Sequence, residues 1–162
     1  MLIAVITAAA RFLTRVAAVF LLAMVAINIV DVGLRSSINA PIFGTYEIVE
    51  LMLAAVAFLA IPEAFLRGEH ITIELIDQVI SKRASEWLSL FGTLVAVVFT
   101  ALLAYHMVQP ALDYIQLNEV TVDLQIPLIW KAVLILLGIA ASVVTVVLVF
   151  VRELLEVVGS RR

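Results

Sequence analysis

Four long apolar runs, separated by short polar breaks, leave this chain few ways to fold. They extend over roughly Val16 to Leu34, Ile48 to Leu66, Leu88 to Gln109 and Leu128 to Val151. Each is long enough, at about 1.5 Å per helical residue, to cross about 30 Å of hydrocarbon. Composition agrees: 65% of the 162 residues are hydrophobic and 14% charged, against about half and about a quarter in soluble domains. The expected fold is an all-α integral membrane protein, one domain over residues 1–162 with four transmembrane helices. Arg11 and Arg15 ahead of the first run also suit a signal peptide. The run outlasts a typical h-region, however, and no clear small-x-small cleavage site follows, so it is read as a span.

Basic residues set orientation, because cytoplasmic loops are the richer in Lys and Arg. Eight of the ten lie before the first span, between the second and third, or after the fourth; only Arg35 and Lys131 lie on the other side. Both termini and the middle loop are therefore expected in the cytoplasm, with two short loops outside. The outer loop from Pro110 to Pro127 holds Asp113, Glu119 and Asp123 and no basic residue, as suits a translocated segment. Pro127 fits a first helical turn, and Trp130 and Lys131 are expected interface anchors.

The middle loop is charged but patterned. Gly68 is a good helix stop after Arg67. From Ile71 onward, Ile73, Ile76, Ile80, Ala84 and Trp87 form one helical stripe, with Glu74, Gln78, Ser81, Lys82 and Ser85 opposite. That pattern predicts an amphipathic helix over about residues 71–86, lying along the cytoplasmic interface between spans two and three. Asp77 sits nearer its apolar side. The same pattern fits a plain solvated connector.

Ionisable groups within spans cost a few kcal/mol and need a reason. Asn28 and Asp31 share a helical face near the outer end of the first span. They either contact a partner helix or an ion, or Asp31 reaches interfacial water. Glu47 and Glu50 open the second span, where the helix dipole favours carboxylates; an ion pair with Arg35 across the short loop is the alternative. Pro62 is expected to kink the second helix, and Glu63 to reach cytoplasmic water.

The chemistry classes narrow quickly. With no cysteine, thiol exchange, thiolate metal sites and iron–sulfur ligation are excluded. His70 and His106, the only histidines, are expected at opposite membrane faces and cannot share a metal or haem. No nucleophile–base pair, phosphate loop or zinc spacing is found, so neither a catalytic centre nor a cofactor is expected. The net charge of −3 comes without a basic cluster for nucleic acid. The lipid bilayer is the partner that composition itself implies.

The stretch "NIVDVGLRSSINAPIFGTYEIVELMLAAVAFLAIPEAFLRGEHITIELI" resembles the small membrane subunit of tripartite ATP-independent periplasmic (TRAP) transporters, the DctQ-like family. The pattern is Arg35 ending the first span, Glu47 twelve residues on opening the second, then "RGEHI" at Arg67 to Ile71. "VTVDLQIPLIWKAVLILLG" is similar to the family's approach to its last span, with Ile126–Pro127 ahead of an aromatic. Departures are Ser36 in place of an aromatic, Ala60 in place of a glycine and Glu74 in place of an aspartate.

The resemblance implies a bacterial inner-membrane system of three parts: a periplasmic substrate-binding protein, a large translocating subunit, and this small subunit bracing it. Such systems resemble sodium-coupled importers of organic acids, in which substrate recognition belongs to the other two subunits. It also makes Arg35, Glu47, Arg67, Gly68 and His70 candidate interface or structural residues, to which the polar residues near the span ends add Asp31 and Glu50. "RGEHI" and the following helix would orient spans two and three against the large subunit, with Ala54, Ala55, Ala57 and Gly92 among the packing residues. The rival readings are a stand-alone homo-oligomeric exporter, a membrane enzyme or electron-transfer subunit, and a structural subunit of another complex. An exporter would place a carboxylate deep in a span, whereas these acids cluster at span ends.

Overall fold

The computed structural model describes residues 2–67 and 82–159. They form four helices: α1 (Leu2–Ile38), α2 (Thr45–Arg67), α3 (Lys82–Gln116) and α4 (Ile129–Gly159). Each is long and apolar enough to cross a membrane. Hydrocarbon offers the backbone no hydrogen-bond partners, so these runs satisfy themselves as continuous helices.

The helices outrun the expected spans. α1 begins at Leu2 rather than near Val16, and its 37 residues extend about 55 Å at 1.5 Å per residue. The added segment, Leu2 to Ala10, is itself apolar apart from Thr7 and joins the expected span through Arg11 and Arg15 without a break in the helix. Residues 82–86, assigned from sequence to an interfacial helix, are instead the first residues of α3. The rest of that expected helix, 71–81, lies outside the described residues, as do Gly68 and His70. Pro110, read as the edge of a loop, lies inside α3, which runs on to Gln116. A proline within a helix removes one backbone bond, here the one to the His106 carbonyl, without having to end it.

Short caps end the helices. Asn39 takes a left-handed conformation after α1 (φ 52°), and Gly44 (φ 75°) turns the chain into α2, its carbonyl accepting from Glu47 N and Ile48 N. After α3, Asn118 is left-handed (φ 49°) and Glu119 N donates to Tyr114 O at 3.3 Å. That is the closing bond of a Schellman cap. The following loop folds back on itself: Thr121 N bonds Ile126 O, Leu128 N bonds Glu119 O, and Val120 pairs with Pro127 in an isolated antiparallel bridge.

The helices stand in the order α1, α2, α4, α3. α1 packs on α2, α2 on α4, and α4 on α3, with a minor touch of α1 on α4. Among the described residues α3 touches neither α1 nor α2. The core is correspondingly thin: Ala17, Ala55 and Leu59 between α1 and α2, flanked by Leu13, Val16, Phe20, Ala60 and Leu134. Small residues set the spacing, because helices in lipid associate through close packing rather than through expulsion of water.

α2 and α4 approach closely at Gly138. A Cβ built there would sit 2.9 Å from Phe58 Cβ and closer still to the Phe58 carbonyl. Pro62 explains why that carbonyl is available. A proline has no N–H, so the carbonyl four residues earlier, that of Phe58, loses its helical donor. The bare backbone of Gly138 lies against this freed oxygen. Ala55, expected to face a partner, is wholly buried inside the chain instead, whereas Gly92 is exposed with open space about it.

Candidate functional site

Charged side chains gather at the two ends of the helix row. At the end with the two short loops, Asp31 is the hub. It is 4% exposed and stands where α1 faces the 39–44 loop. Its Oδ2 accepts from Arg35 Nη2 at 2.8 Å, one helical turn on. Its Oδ1 accepts from Ile42 N at 2.7 Å and lies 3.2 Å from Thr45 Oγ1, whose proton is shared with the Ile42 carbonyl. Asp31 therefore does not project into interfacial water, and Asn28 plays no part: its amide bonds Met24 O of the same helix.

Glu47 does the same for the other loop. Its two carboxylate oxygens accept from Asp123 N at 2.6 Å and Leu124 N at 2.8 Å. Charge-assisted bonds of this kind are the strong ones. The Leu124 side chain packs directly over Gly44, where any Cβ would collide with it. Glu50 pairs with Lys131 of α4 at 2.5 Å. The expected ion pair between Arg35 and a glutamate of α2 is not formed; Arg35 is held by Asp31, and the glutamates are taken by the second loop and by α4. Asp31 and Glu47 thus clamp both loops onto the start of α2.

At the opposite end, Glu63 is 7% exposed and does not reach water freely. Arg67 donates to its Oε1 from both Nε (3.0 Å) and Nη2 (2.6 Å). Thr14 and Arg11 of α1 stand beside it. α1, α2 and these arginines enclose a groove of about 510 Å³. On the far flank of the row, Ser89 of α3 donates to Glu153 of α4 at 3.3 Å. These contacts bring the start of α1, the end of α2, the start of α3 and the end of α4 to one end of the molecule.

Five of the seven candidate residues are thus placed: Asp31, Arg35, Glu47 and Glu50 at the short-loop end and Arg67 at the other. Sequence reasoning missed Gly44, Thr45, Leu124 and Gly138. It also missed the pairing of Glu63 with Arg67, although an acid four residues ahead of a base is a legible helix-surface signal. Among the described residues no group of three or more His, Cys, Asp or Glu is placed to hold a metal. His106 stacks edge-on against Tyr105 at 5.4 Å.

Four helices long and apolar enough to cross a membrane, with loops tied down by the carboxylates of Asp31 and Glu47, define a multi-pass membrane protein. A family model described as "Tripartite ATP-independent periplasmic transporters, DctQ component" matches residues 24–156. The chain belongs to that family: it is the small membrane component of a TRAP transporter and not an enzyme. No curated protein and no solved structure gave a significant match.

Proposed function

We infer that this subunit braces a large translocating membrane subunit during ion-coupled uptake, with sodium as the coupling ion and an organic acid as the cargo delivered by a periplasmic binding protein. The family supplies the three-part system. The observation that carries the bracing role is that the carboxylates Asp31, Glu47, Glu50 and Glu63 near the span ends are spent on internal contacts and that each described span is an unbroken helix. Transport cores use discontinuous helices whose ends meet the substrate and ion near the bilayer midplane. α3 supports the same reading. It packs on α4 alone at one edge of the row and leaves Phe91, Val95, Phe99 and Leu102 exposed, a face suited to lipid and to a larger membrane partner.

The distribution of Lys and Arg favours an orientation with the arginine end and both termini in the cytoplasm of a bacterium and the clamp on the periplasmic side of its inner membrane. The clamp would then stand where a substrate-binding protein docks transiently. Arg67 and the "RGEHI" element would face the large subunit from the cytoplasmic side.

Tagged expression from the native chromosomal neighbourhood, purification in mild detergent and mass spectrometry test this reading. A roughly equimolar larger membrane protein of many spans is the expected companion, and Arg67→Ala or His70→Ala should lower its recovery. Recovery of this chain alone as a stable homo-oligomer would overturn the reading.

A further inference from the structure

Among the described residues, the groove between α1 and α2 at the arginine end is lined by three arginines and one acid. Arg11 and Arg15 line it from α1, Arg67 from α2, and the acidic member is Glu63. Glu63 is committed to Arg67 by two hydrogen bonds. Arg11 and Arg15 are exposed; Arg11 feels the charge of Glu63 beside it, but among the described residues neither makes a hydrogen bond or ion pair. They stand one helical turn apart on one face, an arrangement of like charges that disfavours an isolated helix. An anion between them would relieve the repulsion.

The position of the pair says what kind of anion. Arg15 is followed at once by the apolar run from Val16, and a bilayer whose hydrocarbon begins at that run would carry its phosphates at the level of both guanidinium groups. Below them the groove continues over Ala18 and Leu66, toward the apolar seam of Ala17, Ala55 and Leu59. Its volume, about 510 Å³, falls in the range of about 300–1,000 Å³ usual for small-molecule sites. Guanidinium forks match phosphate oxygens in bidentate fashion. Basic pockets between helices at a membrane face are suited to phospholipid head groups.

We propose that this groove is a binding site for an anionic phospholipid, its phosphate held by Arg11 and Arg15 and its chains descending along the α1–α2 seam. Arg67, oriented by Glu63, forms the third wall. A free phosphate would meet the same arginines but would leave the apolar floor unused, so the two sources of phosphate differ measurably. The proposal uses only this chain and holds on whichever side of the membrane the groove lies.

The full-length protein in nanodiscs of equal phosphatidylglycerol and phosphatidylcholine, released into native mass spectrometry, provides the test. Wild type is expected to retain phosphatidylglycerol selectively. Arg11→Gln with Arg15→Gln should weaken that retention about 30-fold, the effect of removing two surface cations from an anionic lipid. Arg152→Gln, which removes a cation at the same end but outside the groove, should leave it unchanged. Should the double glutamine variant fail to insert, Arg11→Lys with Arg15→Lys keeps the charge and is expected to lose part of the selectivity by giving up the fork. Equal retention of the two lipids by wild type, or no change in either double variant, overturns the site. Thermal stabilisation by inorganic phosphate equal to that by phosphatidylglycerol overturns the lipid as its occupant.

Discussion

Replacing Gly138 by alanine tests the packing of this row most directly. In a helix the change is intrinsically favourable, by about 0.8–1 kcal/mol. Here the new methyl would enter the space of the Phe58 carbonyl and approach Phe58 Cβ to 2.9 Å. A backbone carbonyl cannot rotate aside as a side chain can, so α2 and α4 must separate. Overpacking of this kind costs about 1–3 kcal/mol, and a gap of 0.5–1 Å forfeits about a quarter to a half of each dispersion contact along the seam. That matters more in lipid, where dispersion and close packing carry helix association. Gly92, with nothing within 4 Å of its built Cβ, is the control: Gly92→Ala should be stabilising by the full propensity gain. The two variants should differ by about 1–3 kcal/mol in unfolding free energy, measured by titrating SDS into mixed micelles. Gly138→Val, with a branched Cβ, should be worse than alanine. If Gly138→Ala proves as stable as Gly92→Ala, the close approach of Gly138 to Phe58 does not set the α2–α4 spacing.

The clamp yields three more expectations. Asp31→Asn should loosen the 39–44 loop, because one end of an amide is a donor and cannot accept from both Arg35 and Ile42 N; faster proteolysis of that loop in proteoliposomes is the readout. Glu47→Ala should speed hydrogen exchange at the amides of Asp123 and Leu124 markedly, and Glu47→Gln, which keeps an acceptor, should speed it less. Equal exchange in all three proteins would rule out the bond. Gly44→Ala combines a left-handed φ that costs a residue with Cβ about 1–2 kcal/mol with a collision against Leu124, and should lower the unfolding midpoint more than Gly33→Ala, whose built Cβ meets nothing within 4 Å.

The number of spans was legible in the sequence because burial in lipid demands apolar side chains on every face of a helix for about 20 residues, a signal that needs no partner to be read. The Asp31–Arg35 and Glu63–Arg67 pairs were also within reach, since one helical turn fixes their separation whatever the fold. Family membership followed from the order of Arg35, Glu47 and "RGEHI". What the chain alone did not specify is the order of the helices. A helix apolar all round has no preferred side, so nothing in α3 announces that it packs on α4 and stays clear of α2. Helix ends were less plain: Leu2 to Ala10 is itself apolar but is cut from the main run by Arg11 and Arg15, and Pro110 to Gln116 continues α3 by backbone bonding past a proline. Only the tertiary structure brought Glu47 to the amides of Asp123 and Leu124, set Leu124 over Gly44, and laid Gly138 against the carbonyl that Pro62 leaves free. Those contacts join residues about 75–80 positions apart, and which of many equivalent apolar faces meet is decided by the shapes they present to one another.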